Sequence, residues 1–286
     1  MKKLILIFLI FILQTITFAQ TSVWEVKKDN DTIYLGGTIH LLRAQDYPLP
    51  KEFNKAYNNS DSIYFETDLQ TLDKPKIQNF MISSMQLERG KKLSTILSPK
   101  VYEALKTHAE SRGINILQYE NFKPAMIILT LTIIELKNMG ISTQGVDKYF
   151  LTKALKDRKN LGKLESVMTH ISYIVSMGEG DENNLVTQSL KDLNKTKKYF
   201  KKIIAAWKTG NIDNLNTLFV KDMKMHTPKL YQSLLVERNN NWLPIIISMF
   251  GNNEKEFVLV GSAHLVGKDG LLEQLKKQGF SILRYK

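Results

Sequence analysis

Apolar positions along the chain follow two rhythms. Short unbroken runs bounded by turn-forming residues occur at 22–26, 32–35, 62–65, 161–164, 257–260 and 280–285, and runs of this length read as buried strands. Asp29-Asn30-Asp31 between the first two predicts a hairpin. Between the strands, apolar residues recur at helical spacing. Phe53, Ala56 and Tyr57 mark a helix over 50–59, and Ile77, Phe80, Met81, Met85 and Leu87 mark another over 75–88. Ser98 as N-cap and Pro99 at the first helical position open a helix that runs to Arg112-Gly113. An apolar helix over 124–139 ends at Gly140, Gly145-Val146-Asp147 opens the next, and one more begins at Ser166. Helical patterning continues over 185–208, 213–222, 229–251 and 271–277. The order predicts an α/β fold: a single domain with a mixed central β-sheet flanked by many helices, and two long helical insertions at about 70–160 and about 166–250.

Two of the strand-like runs lead into one five-residue pattern. Tyr34 and Leu35 enter Gly37-Thr38-Ile39-His40-Leu41, and Phe257 to Val260 enter Gly261-Ser262-Ala263-His264-Leu265. Either histidine alone reads as a loop residue. Their shared setting, in a chain with only five histidines, points to a common crevice, since ligands of open α/β sheets collect outside the carboxyl ends of the strands. Gly37 and Gly261 let the chain turn sharply or pass close to a ligand there. Two further strands end in carboxylates, Glu66 and Glu165. Two imidazoles with one or two carboxylates form a mixed nitrogen and oxygen set suited to zinc, manganese, iron or cobalt. A divalent ion with an open position acidifies water for hydrolysis, and a nearby carboxylate serves as general base. Which glutamate is ligand and which is base stays open. Arg238 suits an oxyanion or a substrate carboxylate, and equally a surface salt bridge with Glu237 or another acid. His170 follows Glu165 and reads as a supporting or core residue. His108 reads as a surface residue, and neither it nor His226 enters the site.

Composition narrows the setting. Lys2 and Lys3, an apolar stretch over 4–13 and Thr17-Phe18-Ala19 match a secretory signal peptide cut after Ala19. Its apolar part is about ten residues, short of the roughly twenty a membrane span needs. The expected product is therefore a domain over 20–286 without a stable membrane span, exported to a periplasm or secreted. Without cysteine, disulfides, thiolate metal sites and thiol nucleophiles are excluded. The formal charge of +12 is scattered except between Lys195 and Lys202. There it forms one face of an amphipathic helix whose other side is Leu193, Phe200, Ile203, Ile204 and Trp207. A solvated face is the expectation, with no nucleic-acid partner.

The residues of these motifs resemble the TraB/GumN family, whose members include the Tiki proteases. The resemblance rests on Leu35-Gly36-Gly37-Thr38-Ile39-His40, Phe65-Glu66, Gly145-Val146-Asp147, Leu164-Glu165-Ser166, Arg238-Asn239 and the stretch from Val260 to Gly270. It covers nearly all of the chain beyond the leader. It implies a divalent-metal-dependent peptidase (manganese, cobalt or zinc) acting on peptides or proteins, with the ion held by His40, His264 and Glu66. Glu66, Glu165 and Arg238 are then the expected catalytic residues, and Gly37, Gly261, Asn239 and His170 support them. His170 departs from relatives that often carry Gln there, which implies an added ligand or a changed surrounding. The alternative is a non-catalytic binder of a peptide, a metal or haem.

Overall fold

The computed structural model describes residues 21–142 and 144–286; the signal peptide expected at 1–19 lies outside the described residues. Strands β1 (Val23–Lys28) and β2 (Asp31–Thr38) form the predicted hairpin, Lys28 pairing with Asp31. Asp29 turns the tip at a φ of 53°, a left-handed conformation that Asp tolerates better than most residues. The other strands are β3 (Leu42–Arg43), β4 (Ser62–Phe65), β5 (Ile141–Ser142), β6 (Asn160–Lys163), β7 (Glu256–Gly261) and β8 (Ser281–Arg284).

Six strands make one sheet in the order β6-β4-β7-β2-β1-β8. The β6/β4, β4/β7 and β7/β2 pairs are parallel, while β1 runs antiparallel to both of its neighbours. Parallel strands covered on both faces need continuous apolar sequence, which Phe257-Val258-Leu259-Val260 and Ile33-Tyr34-Leu35 supply, all at 5% exposure or less. The edge strand β6 is mostly exposed and carries Lys163, a charge that discourages pairing with another chain. Because β2, β4, β6 and β7 point the same way, their carboxyl ends line one rim, so His40, Glu66, Glu165 and His264 share it.

Both helical insertions are present, with corrections inside them. The first insertion is not helical throughout, since its β5 pairs with β3 in a small ribbon. The single helix expected over 185–208 is two, Glu182–Leu193 and Thr196–Lys208. The break has a packing cause. Val186 and Leu193 belong to a small core beneath Leu93, Leu105 and Ile127, whereas Phe200, Ile204 and Trp207 belong to the main core on the sheet. The lysine face of the second helix is solvated as expected, and Trp207 Nε1 donates to the Gly37 carbonyl at 2.6 Å. Ser98 makes no side-chain cap; its N–H donates to Asn183 Oδ1 at 2.8 Å. His108 is no surface residue: its side chain is 11% exposed, 3.8 Å from Glu135. Further on, 216–221 and 232–237 are π-helical.

Candidate active site

Each strand end contributes differently to the rim. Past β4 and β6 the backbone pairing continues, with Glu165 N–H donating to the Glu66 carbonyl at 2.9 Å, so the two acids sit side by side. Glu66 is 6% exposed and Glu165 9%. Between them lies Arg238, also buried. Its Nη2 donates to Glu66 Oε2 at 2.6 Å and to Glu165 Oε1 at 2.7 Å, and its Nε donates to Glu165 Oε2 at 3.2 Å. This contrasts with the surface pair with Glu237 that the sequence allowed, and Glu237 is exposed. Burial works against the charge on Glu66, but Arg238, the charged ring of His40 and the Gly261 N–H outweigh it and hold the carboxyl well below its usual range. Burial likewise opposes the charge on Glu165, but His170 and Arg238 outweigh it and hold its pKa below the usual carboxylate range. Glu165 Oε1 also accepts from His170 Nδ1 at 2.8 Å, and Oε2 from Trp242 Nε1 at 3.0 Å. Glu165 thus grips Arg238 and stands behind Glu66.

The sequence pattern around His264 does not continue as a loop. Ser262–Leu265 forms a helical turn that carries the imidazole inside, at 4% exposure. Asn239 fixes the ring: its Nδ2 donates to the carbonyls of His264 and Asp269 at 3.2 and 2.8 Å, which leaves Oδ1 to accept from His264 Nδ1 at 2.7 Å. Nε2 then carries the lone pair, and Arg238 Nη1 donates to it at 3.2 Å. Burial, with Arg238 adding to it against the pull of Glu66, pushes the His264 pKa down to about 3. Trp242 packs on the ring with centroids 4.4 Å apart.

His40 stands at the open side of the rim. Its Nδ1 donates to Asp147 Oδ2 at 2.8 Å, and the attraction of Asp147 carries its pKa up to about 9. The side chain is 63% exposed, so solvent screens part of that pull. The loop is locked from below, where Val146 N–H donates to the Ile39 carbonyl at 3.0 Å. A Cβ on Gly145 would stand 2.2 Å from the His40 carbonyl, so only glycine lets the helix Val146–Asp157 come near enough for Asp147 to reach the ring.

The two pattern glycines serve close approach more than turning. A Cβ at Gly37 would meet Ser262 Oγ at 2.9 Å, and Ser262 Oγ donates to the Thr38 carbonyl at 3.0 Å, tying one copy to the other. A Cβ at Gly261 would lie 3.3 Å from Glu66 Oε1, 3.6 Å from His40 Nε2 and 3.6 Å from His264 Cδ2. The backbone N–H of Gly261 donates to Glu66 Oε1 at 2.7 Å. Both histidines and Glu66 therefore converge over one bare glycine, and Glu66 Oε1 is 3.9 Å from His264 Nε2.

As the side chains lie, no group of three or more His, Cys, Asp or Glu among the described residues is set to hold a metal ion. The donor chemistry nonetheless fits a divalent ion. Each imidazole gives Nδ1 to an oxygen acceptor, the orientation common to metal-binding histidines, and Glu66 is held ionised; His40 would first have to release its Nε2 proton. Arg238 Nη1 is what occupies the His264 lone pair. A cavity of about 830 Å³ opens from the rim, lined by Glu66, Arg238 and His264, by a majority of apolar side chains, and by the polar Asp192, Lys202 and Asp222.

Two residues of this arrangement were not assigned roles from sequence. Asp147 lies 107 positions from His40, and only its place in the Gly145-Val146-Asp147 motif marks it. Trp242 falls four residues after Arg238, one helical turn along the same face, a spacing that could have been noticed.

The match to the TraB/PrgY/gumN family model covers residues 22–284. Metalloprotease TIKI1 of Danio rerio is 20% identical over 91% of this chain and 62% of that protein. Metalloprotease TIKI2 of Xenopus tropicalis is 21% identical over 91% and 58%. Uncharacterized protein YbaP of Escherichia coli (strain K12) is 21% identical over 86% and 89%. The chain spans about three fifths of the length of these TIKI proteins. No solved structure matches it. Among the described residues no helix is long and apolar enough to cross a membrane. A family match that runs from the first strand to the last gives the conclusion directly: the chain belongs to the TraB/PrgY/gumN family.

Proposed function

We propose that this protein is an exported, metal-dependent peptidase, periplasmic or secreted, whose divalent ion (manganese, cobalt or zinc) is held by His40, His264 and Glu66. The convergence of His40, His264 and Glu66 over Gly261 carries the reading. When bound, the ion supplies an acidified water and polarises the peptide carbonyl. The chain's own groups do the rest. Asp147 and Asn239 hold the two rings with Nε2 forward. Glu165, His170 and Trp242 anchor Arg238, and Arg238 keeps Glu66 ionised. Were His264 Nε2 to serve as a ligand, Arg238 Nη1 would be released from it and would be a donor available to a developing oxyanion. The names of the TIKI relatives, at about 21% identity, support peptide or protein substrates.

The test uses full-length protein stripped of metal and resupplied with manganese, cobalt or zinc, then incubated with a peptide library. Metal-dependent cleavage that disappears in His40→Ala and His264→Ala, with circular dichroism unchanged, is the expected result. Cleavage equal to wild type in both variants would remove the mechanism. A non-catalytic binder is the second reading, favoured by the hold of Arg238 Nη1 on His264 Nε2. A ligand seen by native mass spectrometry or a haem absorption band, with no turnover under any metal, would establish it.

A further inference from the structure

The cavity leading from the rim has a wall chemistry that the catalytic reading leaves unused. Phe200 and Ile203 from the helix Thr196–Lys208 face it, with Leu218 and Phe219 from one π-helical segment and Leu234 and Leu235 from the other. π-Helical turns are rare, and they cluster at functional sites. Widening the turn narrows the angular step between successive residues, so both members of each consecutive pair face the same space. Two such segments line one cavity, and Arg238 follows the second directly. The volume of about 830 Å³ lies in the range of small-ligand sites, which are apolar with a few polar groups converging at one end. Here the rim of His40, Glu66, Arg238 and His264 supplies the converging polar groups, and Asp192, Lys202 and Asp222 add charge elsewhere on an otherwise mainly apolar wall.

We propose that this cavity is a substrate subsite that takes a bulky aliphatic or aromatic side chain of a peptide, adjacent to the bond presented at the rim. The proposal rests on the peptidase reading for its substrate. The occupant follows from continuity. A ligand that reaches the donor cluster through this cavity places its next groups against Leu218, Phe219, Leu234 and Leu235. An apolar side chain gains there about 0.8 kcal/mol for each buried methylene.

The test is a series of internally quenched hexapeptides that differ at one position, carrying Leu, Phe, Ala, Asp or Lys. Their kcat/KM is measured with manganese-loaded full-length protein, and their binding to metal-free protein by calorimetry. Leu and Phe should exceed Ala by at least about tenfold, in binding as well as in turnover. Leu218→Trp, which fills the cavity, should lower the Leu to Ala ratio, and Phe219→Ala, which enlarges it, should raise the Phe to Ala ratio. Turnover that is independent of the varied side chain would overturn the subsite and leave the peptidase standing. Preferential binding of the Leu and Phe peptides without turnover under any metal would keep the subsite and remove the peptidase. A co-purified fatty acid or haem that these peptides fail to displace would overturn the subsite.

Discussion

The two Gly-hydroxyl-x-His-Leu patterns are alike in sequence and opposite in state. After β7 the pattern closes into a helical turn, and His264 is buried, neutral and packed on Trp242. After β2 the chain stays open, and His40 is 63% exposed and paired with Asp147. The hydroxyls differ as well: Ser262 ties the two copies together through the Thr38 carbonyl. The motif therefore fixes where each imidazole sits, at the ends of adjacent parallel strands. Neighbours far away in sequence fix which proton it carries. A site with one preset neutral ring and one ring that must lose a proton should bind metal more tightly as pH rises, since binding releases that proton.

The largest expected effect falls on the buried half. Arg238→Leu leaves Glu66 and Glu165 as uncompensated buried charges, and the expected loss is about 3–5 kcal/mol, read by urea denaturation. Trp242→Phe removes the Nε1 donor to Glu165 Oε2 while keeping an aromatic ring against His264. Leaving that buried acceptor one donor short should cost about 1–3 kcal/mol. A loss under about 0.5 kcal/mol in either variant would mean that the buried half is no more demanding than the exposed one.

The pH dependence of stability should have opposite signs at the two histidines. His264 has a folded pKa of about 3, below the value of about 6.5 for an unfolded histidine. The unfolded chain therefore takes up the proton first as pH falls, and stability present above pH 6.5 is lost toward pH 3. His40 has a folded pKa of about 9. Its contribution is complete below about 6.5 and is lost as pH rises through 9, reduced in size by its exposure. Denaturation curves from pH 4 to 10 should lose the acid slope in His264→Gln and the alkaline slope in Asp147→Asn. Finding both slopes unchanged would contradict the contrast.

The smallest effect is expected at the exposed half. Asp147→Asn should cost less than about 1 kcal/mol near neutral pH. It should still move the NMR titration of His40 from about 9 back toward an ordinary imidazole.

The sheet was readable in the sequence because its central strands are buried on both faces and so appear as unbroken apolar runs, Phe257 to Val260 being the clearest. Their common direction makes strand-end residues neighbours, which is why His40, Glu66, Glu165 and His264 could be grouped in advance. What could not be read depends on contacts without local signal. The burial of His264 is decided by Trp242 and Asn239, and the charge of His40 by Asp147. The role of Arg238 depended on which acid it met, and its immediate neighbour Glu237 was the wrong one. The break at Asn194 and Lys195 follows from two cores competing for one helix, and the π-helical segments have no residue pattern that announces them.

The proposed ion would be shared by both histidines, and X-ray absorption of the zinc-loaded protein tests that most directly. Two imidazole ligands are expected in wild type, falling to one in either His40→Ala or His264→Ala. A spectrum without imidazole scattering, or one unchanged by both substitutions, would contradict it.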